Sequence, residues 1–210
     1  MNFQLLQKYF NPRTITSNEH TTMAVLGAMV GLVAGFGAIG FRHLIDFCQK
    51  ISYGSTGNLL EIVLALPWVQ KIWVPALGGV VVGPLVYFFA REAKGHGVPE
   101  VMEAVALKSG VIRKRVVVVK SLASGISIGT GGSVGREGPI VQIGSAIGSV
   151  LGQVFKISGD RIRTLVGCGA AAGIAATFNA PIAGSMFALE VILGDFGLAT
   201  FSPIVISSVL

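Results

Sequence analysis

Long stretches of this chain carry no Asp, Glu, Lys or Arg, and that constrains its folding more than any motif does: 21–41, 72–90, 138–155 and 164–189. At 1.5 Å per helical residue, about 20 such residues cross a hydrocarbon layer of about 30 Å. Segments 21–41 and 72–90 therefore read as the first and second membrane helices. Charged residues are only 12% of the chain against about 25% in an ordinary soluble domain. With 52% hydrophobic residues and a mean hydropathy of +0.73, a soluble fold could not keep so apolar a surface in water.

Glycine reinforces the reading, because its 29 copies concentrate inside the apolar runs rather than between them. Gly27, Gly31 and Gly35 form one stripe at helical spacing, and Gly144, Gly148 and Gly152 form another. Small residues in such rows let helix backbones approach closely in lipid. The net charge of +6 sits in short Lys and Arg clusters between the runs, without the basic stripe and interleaved aromatics of a nucleic-acid binder. Those clusters place the amino terminus (residues 1–20) and the 91–120 region on the cytoplasmic side. Cys48 and Cys168 form no disulfide framework or metal-ligand pattern, and no cofactor motif is found.

The remaining segments are less regular. Residues 50–71 read as a loop with a short interfacial turn. Pro75 and Pro84 interrupt the second span, which a membrane helix tolerates when neighbours satisfy the freed carbonyls. Segment 95–110 is too short and too polar to span, yet both flanks are basic, so a re-entrant or interfacial helix is expected. Segment 116–135 is apolar apart from Lys120, and Asn179-Ala180-Pro181 breaks 164–189 into two shorter helices. The last run, 196–210, ends without a polar flank, so the chain reads as part of a longer membrane domain.

The most informative stretch is Gly135-Arg136-Glu137-Gly138-Pro139, an ionisable pair between two apolar segments. Pro139 suits a first helical turn and Gly138 permits close backbone approach. The amides around Arg136 to Ile140 are then expected to be unpaired donors at a positive helix end, which binds anions. A carboxylate at Glu137 can fill such a site, or leave it on protonation, serving as plug and proton carrier. The alternative is a solvated pair in an exposed loop. The glycine-rich approach and the long apolar run that follows favour the functional reading.

Gly95-His96-Gly97-Val98-Pro99-Glu100 repeats the pattern of glycines and a proline ahead of a short helix. It can present amides to an anion, or form a simple turn. Gly35-Phe36-Gly37-Ala38-Ile39-Gly40 matches a dinucleotide fingerprint but lies in a membrane run with no strand before it. Gly131-Gly132-Ser133-Val134-Gly135 matches a serine-hydrolase pattern, which needs a histidine base that only His20, His43 or His96 could supply. That remote enzyme reading, and a purely structural membrane subunit, are the rivals to transport.

Taken together, Gly-Arg-Glu-Gly-Pro at 135–139, Gly-His-Gly-Val-Pro-Glu at 95–100, Ala170-Ala171-Ala172-Gly173 and Phe178-Asn179-Ala180-Pro181-Ile182-Ala183-Gly184 resemble the CLC family of chloride channels and chloride/proton exchangers. The resemblance runs from about residue 21 to 210 and matches the amino-terminal half of the family's membrane domain. It implies an all-α, multi-pass integral membrane fold with broken and re-entrant helices, the first half of an inverted repeat. That fold transports rather than catalyses, as a homodimer in a lipid bilayer, in the cell membrane or the inner membrane of a prokaryote.

By the same resemblance Glu137 looks like the gating and proton-transfer glutamate. Gly95, His96, Gly97, Val98 and Pro99, with Gly135, Arg136, Gly138 and Pro139, look like the anion-binding segments, and the helices after Pro181 like the dimer interface. Many members carry Ser where this chain has His96, so fluoride or another anion stays open beside chloride. In the proton-coupled members most often described, an inner glutamate aligns with Val191 of the pair Glu190-Val191. Channel-type members also have valine there and some exchangers lack the acid, so exchange and passive conduction both remain. The family's second half, with its Gly-x-Phe-x-Pro segment and pore tyrosine, lies outside these 210 residues.

Overall fold

The computed structural model describes residues 19–57, 59–89, 95 and 97–210, and every regular element among them is helical. In chain order these are α1 Glu19–Tyr53, α2 Leu59–Ala65, α3 Trp68–Phe89, α4 Val98–Leu107, α5 Lys114–Gly129, α6 Glu137–Val154, α7 Gly159–Phe178, α8 Pro181–Phe187, a π-helical turn Ala188–Leu193, and α9 Leu198–Val209. The amino-terminal segment assigned to the cytoplasm lies, to residue 18, outside the described residues. His96, Ala90, Arg91 and Lys94 lie outside them as well.

Among the described residues α1 and α3 are the helices long and apolar enough to cross a membrane. The first runs well past the expected end at Phe41, reaching about 52 Å at 1.5 Å per residue. Packing explains the extension. Leu44 fills the space beside Gly125, and a Cβ on Gly129 would stand 2.5 Å from the Cβ of Cys48 and 3.0 Å from the Gln49 amide. Of the polar residues on this extension Arg42 and Lys50 are exposed and Asp46 is half-buried. Segment 50–71 likewise holds α2 and the first turn of α3, whose Gln70 and Lys71 amides bond to the Pro67 carbonyl.

Of the first glycine stripe, two members are used. A Cβ on Gly27 would lie 2.7 Å from the Pro203 carbonyl oxygen and one on Gly31 2.6 Å from that of Ser207, so α1 and α9 touch backbone to backbone. Gly35 has nothing within 4 Å among the described residues. The second stripe is fully used: Gly144 meets the carbonyl of Gly169, Gly148 that of Leu165, and Gly152 the side chain of Ile162. Helices α6 and α7 therefore lie antiparallel at the closest approach that backbones allow, and their facing residues Ile140, Ile143, Leu165, Val166 and Ala170 form the centre of the core.

Asn179 terminates α7 in the left-handed conformation (φ 53°), and Pro181 starts α8, as the Asn-Ala-Pro break predicts. The π turn after it was not legible. The loop between α4 and α5 is tied down by Ser149, which accepts from the Ile112 amide at 2.8 Å and donates to the Gly110 carbonyl at 2.6 Å. Ser149→Ala strands both buried partners and is expected to cost about 1–3 kcal/mol, read as a lowered thermal midpoint of the full-length protein in detergent.

Candidate functional site

Glu137 is the first residue of α6, with Arg136 capping it in helical conformation (φ −88°, ψ −10°). The Ile140 amide is not free as expected: it bonds to the Arg136 carbonyl at 3.1 Å, closing the first helical turn. Pro139 has no N–H to offer. The donors left at this helix start are the amides of Arg136, Glu137 and Gly138, for which no acceptor occurs among the described residues. Gly135 has no side chain, and the Glu137 carboxylate lies where its Cβ would be. The acid thus folds back over the loop at the mouth of its own helix.

The loop carrying it is anchored from two membrane helices. Tyr53, at the end of α1, donates its hydroxyl to the Thr130 carbonyl at 2.8 Å. Gly78 of α3 leaves the room that the Thr130 side chain fills, and Gly131 takes a positive φ of 84° beneath the Tyr53 ring. The Gly132 amide then bonds back to the Ser127 carbonyl, and the Val134 amide to the Gly132 carbonyl, each at 2.8 Å. A short stretch of loop from there delivers Glu137.

The second glycine segment comes to the same place. Gly97, with φ 104°, lies against the Gly138 carbonyl, and a Cβ there would also stand 3.3 Å from the Cβ of Gln142. The starts of α4 and α6 therefore converge, which brings Gly95, Gly97, Val98 and Pro99 together with Arg136, Glu137, Gly138 and Pro139. One expected donor is spoken for: the Gly97 amide bonds to Glu100 Oε2 at 2.8 Å. Lys120, which the sequence marks only as the lone charge of its segment, donates from Nζ to the Gly95 carbonyl at 2.7 Å. Sequence reasoning missed its place, although a single buried cation in an apolar run is a functional signal in itself.

Glu137 is exposed rather than enclosed. Val191 lies elsewhere, in the π turn. It is 37% exposed and lines a cavity of about 950 Å³ with Glu190, His20, Met102, Arg161 and Asp195. The antiparallel register sets Ala176 level with Glu137, while Thr164 borders the cavity. Twelve residues of α7 then separate the two places by about 18 Å.

At the cavity rim Asp195 accepts from the Gly197 amide at 2.9 Å and the Thr200 hydroxyl at 2.8 Å. Those bonds, the amide first, hold its carboxyl below the ordinary value of 3.8. A depressed folded-state value means that the stability these two bonds contribute is fully present above pH 3.8 and is lost as pH falls through the lower folded value. Asp195→Asn is expected to flatten the acid limb of the melting midpoint between about pH 5 and pH 2, with a small loss at neutral pH.

Ser133, the candidate hydrolase nucleophile, is exposed in the loop after Thr130. His20 lies at the cavity, the whole length of α1 from Tyr53 or about 50 Å, and His43 is ten residues before Tyr53, about 15 Å along the axis. Neither can serve as its base. The Gly35–Gly40 fingerprint lies in mid-helix in α1, where no phosphate loop can form.

The chain is similar to known proteins in sequence and in fold. The family described as voltage gated chloride channel matches residues 78–210. A putative chloride channel protein ClcB-like from Ralstonia nicotianae is 36% identical over 191 residues, covering 89% of this chain and 44% of that protein. The voltage-gated ClC-type chloride channel ClcB of Escherichia coli is 33% identical over 189 residues, covering 88% and 44%. Among solved structures, a slow cyanobacterial Cl-/H+ antiporter aligns with TM-score 0.69 and 28% identity, over 89% of this chain and 45% of that one. A CLC-type fluoride/proton antiporter aligns with TM-score 0.71 and 26% identity, over 90% and 44%. The chain spans a little under half the length of the relatives it matches.

Proposed function

The chain belongs to the voltage gated chloride channel family, and on that premise we propose that the protein moves small inorganic anions across a membrane, chloride first, with Glu137 as a protonatable gate. One observation carries the reading. Two helix starts meet where Gly97 rests on the Gly138 carbonyl, and the free amides at 136–138 share that place with the Glu137 carboxylate. An anion bound there gains oriented N–H donors and the positive end of α6. The ionised Glu137 competes for the same donors and vacates them when protonated.

Reconstitution of the full-length protein in liposomes, with chloride and fluoride efflux recorded beside proton movement, tests this. Anion efflux that rises at acidic pH is expected, and absence of efflux for both halides overturns the reading. Uphill proton movement driven by the anion gradient assigns exchange; anion efflux without it assigns passive conduction, the mechanism that Val191 at the inner position favours.

We place a homodimer contact on α8 and α9, where Ile182 is 80% and Leu198 86% exposed. Such apolar exposure fits a second copy as well as lipid. Ile182→Cys in the full-length protein is expected to cross-link two copies under oxidation, and a monomer on denaturing gels under the same conditions overturns that placement.

A further inference from the structure

Lys120 has no part in the gate mechanism, yet it is 4% exposed in a helix whose other charged residues, Lys114 and Arg115, lie in its first turn. Burying an ammonium away from water is costly unless the charge is paired, so its position calls for partners that use the charge. Its Nζ donates to the Gly95 carbonyl at 2.7 Å, and the Glu100 carboxylate acts on it electrostatically. Glu100 in turn accepts the Gly97 amide at 2.8 Å and fills the space left by the missing side chain of Gly95. Gly97 bears directly on the Gly138 carbonyl. A continuous path of contacts therefore leads from Lys120 through Gly95, Glu100 and Gly97 to the start of α6.

We infer that Lys120 and Glu100 are positioning residues for anion recognition: together they fix Gly95 and Gly97 over the start of α6 and so set anion affinity. The inference rests on the transport reading above. The Gly95 carbonyl and the Gly97 amide are both held, one by each member of the pair, which fixes their height and their rotation. Charge-assisted hydrogen bonds are about twice as strong as neutral ones and suit such a clamp. The pair also withdraws the Gly97 amide from the anion, leaving the donors of α6 as the principal ligands.

Positioning and simple charge attraction make opposite predictions at Glu100. Four variants of the full-length protein decide between them: Lys120→Met, Lys120→Arg, Glu100→Ala and Glu100→Gln, each assayed for chloride dependence of efflux from liposomes. Positioning predicts that Lys120→Met and Glu100→Ala raise the half-saturating chloride concentration about tenfold, with a smaller change in maximal rate. Arginine restores the donor and glutamine keeps an acceptor for the Gly97 amide, so both conservative variants stay within about twofold of the parent.

Tighter chloride binding in both Glu100→Ala and Glu100→Gln would mean that only charge matters, and would overturn the inference. So would parental affinity in Glu100→Ala. Should Lys120→Met fail to fold, the two substitutions at the half-exposed Glu100 still decide between positioning and charge. A parent protein with no efflux sinks the transport reading itself, whereas normal parental efflux with unchanged variants sinks only the clamp.

Discussion

Glu137→Gln is expected to abolish the pH dependence of anion flux, leaving a rate at neutral pH close to that of the parent protein in acid. The carboxylate folds over Gly135 at the start of α6, the helix end whose first amides have no acceptor among the described residues. A hydrogen bond to a charged group contributes about 1.5–3 kcal/mol, so ionisation of this one acid shifts the occupancy of the donors about tenfold or more. Glutamine is nearly isosteric but carries no charge to compete with a halide, and it does not titrate. Efflux from liposomes across about pH 4.5 to 7.5 reads the effect. A glutamine variant with an undiminished pH response would assign the titration to another group.

Gly135→Ala gives an independent check on the same geometry. A methyl group at 135 occupies the place where the carboxylate now lies, pushing the acid out without removing its charge. Flux at neutral pH is then expected to rise part of the way towards that of Glu137→Gln.

Gly148→Leu is expected to prevent recovery of folded protein altogether. Its Cβ would fall on the Leu165 carbonyl, and Gly144 and Gly169 meet in the same manner one turn away. The obstacle is backbone, so no rotamer change relieves it, and separating α6 from α7 also exposes the largest part of the core. Overpacking of ordinary cores costs about 1–3 kcal/mol, with larger values where nothing can move. The control is Gly35→Ala, where a Cβ meets nothing within 4 Å. There the helix gains up to about 1 kcal/mol from the lost backbone freedom of glycine. Size-exclusion profiles in detergent distinguish the two, and a monodisperse Gly148→Leu protein would show that the helices are not in this contact.

Much of this architecture was legible because it depends on local chemistry. Charge-free runs of sufficient length located α1 and α3, and Asn179-Ala180-Pro181 located a break through one left-handed residue and one ring without an N–H. Glycine and proline around Glu137 and ahead of Glu100 announced two helix starts, and both are present. The resemblance carried by those motifs added the fold and the family.

The sequence by itself determined where helices begin, where they break and which faces are small enough for close packing, since all of these depend on residues within a few positions of one another. Only the tertiary structure decided which donors are free, that Gly35 is unused while Gly148 is indispensable, that α1 continues to Tyr53, and that Lys120 reaches Gly95. Those outcomes hang on contacts between residues 17 to 81 positions apart. Periodicity and turn chemistry report only on neighbours along the chain. Contacts over such separations are fixed instead by the way helices dock, each backbone group taking its partner from whichever element the packing brings within about 3 Å.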